Sequence, residues 1–398
     1  MSVIGIVGEF NPFHLGHYEH FRRSREQAGG PDTPIVCVMS GDFVQRGAPA
    51  VFDKHSRAEA AARCGADLVI ELPLPWCLAS AERFAFGGVS LLESLGFVTH
   101  LAFGSECGDL APLTALALAA ADPENLERIK DHMAAWGSSF AAARESVLAE
   151  VLGQEARLLE SPNNTLAVEY LKALFSLRSD MIPLTTPRTD VGHDSVSDGP
   201  KRSASQLRSM MEAGEDIAAY VPAGARSMPR ERMDEGRGPV TMASLEEALL
   251  SRLRALRPED FAALPDATEG LENRLYRAVR TEPSVGAVLS AVKTKRYPLS
   301  RLRRMVMCAA LGVRAEDSAG RPGYARLLAS TERGRALLRQ VPESFPVITK
   351  PAAAKDLPEA DRAVFERTAD ARDLYVLGYD VIEERRGGSD WRTTPAMV

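Results

Sequence analysis

Short apolar runs, each followed by a helical pattern, constrain this chain more than any other feature. The runs are residues 3–7, 34–40, 66–72 and 99–103, and Gly8, Gly41 and Gly104 close three of them. Between them, residues 17–27, 53–64, 81–95 and 110–120 place apolar side chains at helical spacing. Strand and helix in alternation predict βαβ units, and hence a mostly parallel sheet covered on both faces. Ligands of such sheets bind beyond the C-terminal strand ends, where these glycine turns fall.

Further along, Ser161-Pro162-Asn163-Asn164 opens a helical segment over 166–177, and 182–184 reads as a run that rejoins the sheet. Residues 185–201 are polar and rich in Gly, Asp and Ser, the composition of a loop. Residues 222–241 are dense in Pro, Gly, Arg and Glu, the composition of a linker. Beyond them 244–256, 269–280 and 285–292 are helix-like. A chain of 398 residues is expected to form two domains. The reading is an α/β nucleotide-binding domain over 1–220 and a mainly helical domain over 221–398.

No stretch approaches the roughly 18 apolar residues of a membrane span, and the start lacks a signal-peptide pattern. The expectation is a cytoplasmic protein with no membrane partner. Cys37, Cys64, Cys77, Cys107 and Cys308 are scattered without Cys-x-x-Cys spacing, which favours free thiols over a disulfide framework or zinc site. A net charge of −6 argues against non-specific coating of nucleic acid, and no DNA partner is expected. A local basic patch would still suffice to attract RNA.

The chemistry concentrates at His14-Leu15-Gly16-His17, which follows the first strand directly and opens the first helix. Positions i and i+3 share a helix face. The first helical turn offers unpaired N–H groups and the positive dipole end, a site for phosphate. His14 and His17 can therefore donate to phosphate oxygens as charge builds at the α-phosphorus. Gly16 clears space for a flat base, and Asn11-Pro12 constrains the turn. His20 extends the row, but no ligand companions stand at metal-binding spacing; the plainer alternative is that His14 and His17 merely cap the helix.

Other candidates cluster near the strand ends. Asp42, Gln45 and Arg46 in the Gly41–Gly47 segment are expected to project toward the cleft, with Arg46 facing an anion. Lys54 is a catalytic candidate, although Ser56-x-x-Glu59 would serve as an ordinary capping box there. Gly104 suits a close backbone approach to a ligand. Asn163 or Asn164 contacts ribose or base, with helix capping as the plainer alternative. Ser203 through Arg208 reads as a turn leading to a phosphate-facing arginine, or as a simple cap. Lys293, Lys295, Arg296, Arg301, Arg303 and Arg304 form the densest basic cluster, with Tyr297 available for stacking on RNA. No P-loop, Gly-x-Gly-x-x-Gly fingerprint or Gly-x-Ser-x-Gly elbow supports a kinase, dehydrogenase or serine hydrolase.

These residues resemble the His-x-Gly-His signature of the nucleotidyltransferase superfamily that includes class I aminoacyl-tRNA synthetases. The wider pattern Glu9-Phe10-Asn11-Pro12-Phe13-His14-Leu15-Gly16-His17 is similar to the opening of the tRNA(Met) cytidine acetate ligase family. Gly41-Asp42-Phe43-Val44-Gln45-Arg46-Gly47, Asp53-Lys54, the 65–73 segment, Phe103-Gly104-Ser105-Glu106 and Ser161-Pro162-Asn163-Asn164 also resemble it. The resemblance spans 3–215 and continues more loosely through 270–274 and 293–297. Gly8, Leu15 and Asp42 depart from the family's usual Ala, Asn and Asn, which bears on fine substrate contacts.

The resemblance implies a Rossmann-like parallel-sheet nucleotidyltransferase domain followed by the helical domain, with tRNA bound by the latter. It implies ATP as co-substrate, with Mg²⁺ bridging phosphate oxygens, and acetate and elongator tRNA(Met) as partners. Acetyl-adenylate would form, and its acetyl group would pass to N4 of the wobble cytidine. Val7, Gly8, Glu9, Phe10, Asn11, Pro12, Phe13, His14, Leu15, Gly16, His17, Tyr18, Glu19 and His20 would form the ATP turn. Gly104, Asn163 and Arg188 would be further nucleotide contacts. The alternatives are a small-molecule adenylyltransferase and a non-catalytic RNA-binding protein on the same scaffold.

Overall fold

The computed structural model describes residues 1–188, 202–267, 270–294 and 296–398. Strands β1 (Ile4–Gly8), β2 (Ile35–Ser40), β5 (Leu68–Leu72), β6 (His100–Ser105) and β7 (Ile182–Pro187) form the expected sheet. Each pairs with its neighbours in parallel, in the order β5-β2-β1-β6-β7. A two-stranded antiparallel hairpin, β3 (Phe43–Val44) with β4 (Ala48–Pro49), leaves the end of β2.

The period of two along the strands sorts side chains between two cores. Ile4 and Ile6, with Ile35, Cys37 and Met39, face the core shared with α1 (Leu15–Ala28) and α2 (Lys54–Arg63). Val36, Val38, Leu68, Ile70 and Leu72 face the other core, against the helices Ala81–Ser94, Leu110–Ala121 and Pro162–Leu177. Burial on both faces is why these strands read as continuous apolar runs.

The chain beyond residue 221 departs from the two-domain expectation. Strand β8 (Ala325–Ser330) lies antiparallel on β5 and extends the sheet past what would have been its edge. Strands β9 (Val347–Ile348) and β10 (Ala396–Met397) then pair with β8. One apolar core runs continuously from Val3 to Tyr379, through the helices of both halves. The 221–398 segment is thus mainly helical, but it shares the sheet and core of the first half rather than standing beside them.

The linker expected over 222–241 is packed chain. It holds the helix Met228–Asp234 and lies against α2 and the β3–β4 region. A Cβ on Gly224 would lie 2.6 Å from the carbonyl oxygen of Arg63, and one on Gly238 would lie 2.8 Å from the Phe52 ring. Glycine there permits contact closer than a side chain allows. The same composition in a free linker would give flexibility, which is why the sequence misleads at this point.

Candidate active site

The first helix begins at a topological switch point. From β1 the chain moves to β2 and β5 on one side, then returns to β6 and β7 on the other. A crevice opens beyond the strand ends at such a reversal. The turn after β1 and the start of α1 stand at that opening.

His14 is the N-cap of α1, and its Nδ1 accepts the Gly16 backbone N–H at 3.0 Å. His17, at the third helical position, accepts the His14 backbone N–H on its own Nδ1 at 3.3 Å. The imidazoles thus take the places that Ser and Glu occupy in a capping box. A backbone N–H can only donate, so each Nδ1 carries a lone pair and each neutral ring carries its proton on Nε2. The rings lie 4.0 Å apart, centroid to centroid. Burial, then His14, then Arg188 and His20 hold His17 well below the ordinary histidine pKa. It is a neutral N–H donor at neutral pH, not a cation.

Gly16 has a second reason to lack a side chain, since a Cβ would lie 2.7 Å from Cε1 of His14. Space for a base is therefore not its only role. Beneath the histidines, Phe10 and Phe13 are buried, with ring centroids 5.1 and 5.5 Å from His17, and both contact Phe21. Phe10 adopts φ +46, the left-handed region that a bulky side chain rarely enters, and the Asn11–Pro12 peptide is cis. Buried Asn11 accepts the Val51 backbone N–H on its side chain at 2.8 Å and an Arg208 N–H on its carbonyl at 2.9 Å. The expected ATP turn thus divides in two. Phe10, Asn11, Pro12, Phe13 and His14 are buried, while Val7, Gly8, Glu9, Leu15, Gly16, His17, Tyr18, Glu19 and His20 retain surface. Glu19 pairs with Arg22 and Arg23 along the helix. His20 Nδ1 lies 2.7 Å from Thr186 Oγ1, which ties α1 to β7.

Gly104, Asn163 and Arg188 meet at the ends of β6 and β7. A Cβ on Gly104 would lie 2.8 Å from the Arg188 side chain, so glycine makes room for that stem. Arg188 donates to Asn163 Oδ1 at 2.9 Å. The helix Pro162–Leu177 is capped from outside: Glu106 accepts the backbone N–H of Asn163 at 3.1 Å and of Asn164 at 2.7 Å. Asn164 is buried and accepts the N–H groups of Glu106 and Cys107 on its side chain, a structural task. Asn163 is the amide that faces Arg188. Sequence reasoning missed the part played by Glu106; a carboxylate just after a strand, matched to a helix start whose Ser161 makes no side-chain cap, was the signal.

Several candidates lie elsewhere. The Lys54 ammonium is fully buried and donates to Glu71 at 2.8 and 3.0 Å and to Asp390 at 2.7 Å. Its donors are occupied by carboxylates, so the structure gives it a bracing task and no contact with the cleft. Asp42 does not project toward the cleft; it is buried against Arg372 at 3.1 Å. The cap of α2 is Asp53, which accepts from the N–H groups of His55 and Ser56, so Ser56 does not start a capping box. Ser203 and Gln206 do form one, and Arg208 leans on the carbonyl of Asn11. Tyr297 is 5% exposed and unavailable for stacking. Arg301 and Arg304 bond to Asp266. Lys293 and Arg303 are exposed and Arg296 half-buried, while Lys295 and most of the 185–201 loop lie outside the described residues. Among the described residues no helix is long and apolar enough to cross a membrane.

A parallel sheet with paired imidazoles heading its first helix at the switch point defines the class, an α/β enzyme of the nucleotidyltransferase type. The HIGH Nucleotidyl Transferase family profile matches residues 1–390. A tRNA(Met) cytidine acetate ligase of Caldanaerobacter subterraneus is 36% identical, over 95% of this chain and 96% of its own. One of Syntrophotalea carbinolica is 40% identical over 85% and 82%. The solved structure of Thermotoga maritima TmcAL bound with alpha-thio ATP superposes with a TM-score of 0.91 at 32% identity, covering 100% of this chain and 99% of that one. The apo form gives 0.93 at 31%, with full coverage of both. The chain belongs to the tRNA(Met) cytidine acetate ligase family.

Proposed function

We propose that this enzyme activates acetate with ATP as acetyl-adenylate and transfers the acetyl group to N4 of the wobble cytidine of elongator tRNA(Met). An acetate oxygen attacks the α-phosphorus, the bond from that phosphorus to the bridging oxygen breaks, and pyrophosphate leaves. The cytidine amine then attacks the acetyl carbon. The carbon–oxygen bond to AMP breaks, and the amine gives up a proton as N4-acetylcytidine forms.

The observation that carries this reading is the pair of Nε2–H donors at the head of α1, held by backbone N–H groups on their other nitrogens. Donors fixed in advance stabilise charge that develops on phosphate without rearranging. The helix N-terminus adds its dipole. Near His17, Arg188 and Asn163 supply charge and a hydrogen-bonding amide for the nucleotide. The T. maritima structure bound with alpha-thio ATP supports nucleotide use. Among the described residues no group of three His, Cys, Asp or Glu side chains suits a metal ion, so Mg²⁺ would enter on the triphosphate. The basic segment around Lys293, Arg296 and Arg303 is the proposed RNA surface.

The test is acetate-dependent exchange of labelled pyrophosphate into ATP, with intact tRNA present, followed by mass spectrometry of the tRNA nucleosides. Exchange and N4-acetylcytidine are the expected results. Absence of both from well-folded protein would overturn the assignment, and a dinucleotide product without tRNA would favour a small-molecule adenylyltransferase.

A further inference from the structure

Two segments far apart in sequence meet backbone to backbone beside the cleft. A Cβ on Gly47 would lie 2.4 Å from the amide nitrogen of Arg304 and 2.5 Å from the carbonyl carbon of Arg303. Gly47 also has φ +71, so glycine is required there twice over. The turn of the β3–β4 hairpin is thereby seated on the first turns of the helix Leu299–Leu311.

This seating sorts the basic residues. Arg301 and Arg304 turn to Asp266, one to its carbonyl oxygen at 2.7 Å and the other to its carboxylate at 3.2 Å. Arg303 is exposed, and so is Arg46, the neighbour of Gly47. On the inner side of the hairpin, the Gln45 backbone N–H donates to Glu9 Oε1 at 2.9 Å, which fixes the turn to the end of β1. Arg46 is close enough to Arg208 for the two guanidiniums to repel each other, with Glu9 attracting Arg208. Positive charge thus continues from Arg303 over Arg46 to the rim of the cleft, in a chain whose net charge is −6.

We propose that Arg46 and Arg303 form a ledge that guides the phosphate backbone of the RNA substrate from the Leu299–Leu311 helix into the cleft. Arg46 then contacts RNA rather than the triphosphate. The inference rests on the proposed tRNA-acetylating function and deepens it. Guanidinium groups suit phosphate oxygens in geometry and charge, and contacts of this kind make binding fall steeply with salt. Neither arginine takes part in adenylation on this view, so the two half-reactions separate.

The experiment compares Arg303→Glu, Arg46→Glu and the matched reversal Lys130→Glu on the exposed helix Pro123–Trp136 in the full chain. Acetate-dependent pyrophosphate exchange reports on the adenylation site, and tRNA acetylation gives KM and kcat. Each arginine variant should raise KM for tRNA by about tenfold and flatten its salt dependence. Exchange, and kcat at saturating tRNA, should stay within about twofold in the arginine variants, because phosphate contacts of this kind act on binding. Lys130→Glu should change neither. An unchanged KM in both arginine variants would overturn the ledge, as would an equal KM rise in Lys130→Glu. Loss of exchange in Arg46→Glu would return Arg46 to the triphosphate site and also overturn it. Wild-type protein that shows no exchange would instead sink the acetylation reading.

Discussion

Replacing Asp390 with Asn should destabilise the whole protein, although the residue lies far along the chain from the histidines. Asp390 is buried with Lys54 at 2.7 Å and Arg326 at 2.6 Å, and Glu71 lies 2.8 Å from Lys54 and 3.5 Å from Arg326. Two cations face two carboxylates, so the cluster is neutral. Burial alone would raise the Asp390 pKa, but Lys54 and then Arg326 hold it well below the ordinary carboxylate range. Asp390→Asn keeps the shape and leaves one uncompensated positive charge away from water. Breaking a buried pair costs about 3–5 kcal/mol, and at roughly 2 °C per kcal/mol for a chain of this size the melting temperature falls by about 6–10 °C. Adding Lys54→Met restores neutrality while Arg326 keeps Glu71. The double variant should therefore melt well above the temperature expected from adding the two single effects. Circular dichroism melts of the four proteins measure this. A single variant within about 2 °C of wild type, or strict additivity, would refute the claim that charge balance across the two halves of the chain holds the sheet together.

Three other outcomes follow from the site. His14→Asn and His17→Ala should each lower the rate of pyrophosphate exchange by about 10²–10³ with little change in melting temperature, as loss of a fixed donor does. Burial, then Arg188, lowers His20 to about 4, and His17 also lies well below the ordinary value. Both are therefore neutral in the fold and bind protons more readily when unfolded. Their contribution to stability is complete above about pH 6.5 and falls as pH drops toward 4, by up to about 1.4 kcal/mol per pH unit for each. Urea titrations between pH 7 and pH 4 measure this slope, and His20→Asn should reduce it. Glu106→Ala uncaps the helix Pro162–Leu177 at Asn163 and Asn164; it should cost about 1 kcal/mol and raise KM for ATP more than it lowers kcat.

The strands β1, β2, β5, β6 and β7 and the helices between them were legible because burial on both faces leaves an apolar run, and a helix against a sheet leaves a period near 3.6. The histidine turn was legible as a motif that opens a helix, but that His14 caps it and His17 is its third residue was decided by the structure. Strand β8 was not, since Arg326 interrupts its apolar pattern and only its distant partners Glu71 and Asp390 make that charge tolerable inside the sheet. Lys54 looked catalytic for the same reason, because a buried lysine and a reactive one read alike until the carboxylates around it are placed.

By itself, then, the sequence determined the strands and helices of the parallel sheet and the placing of a histidine pair where its first helix opens, because each leaves a local or periodic pattern in the chain. Only the tertiary structure decided that the second half completes the sheet, that Asn163 rather than Asn164 faces Arg188, and that Arg303 rather than Arg304 is exposed. Those outcomes depend on which charges meet across hundreds of residues, and pairing at such range leaves no periodic trace in the chain.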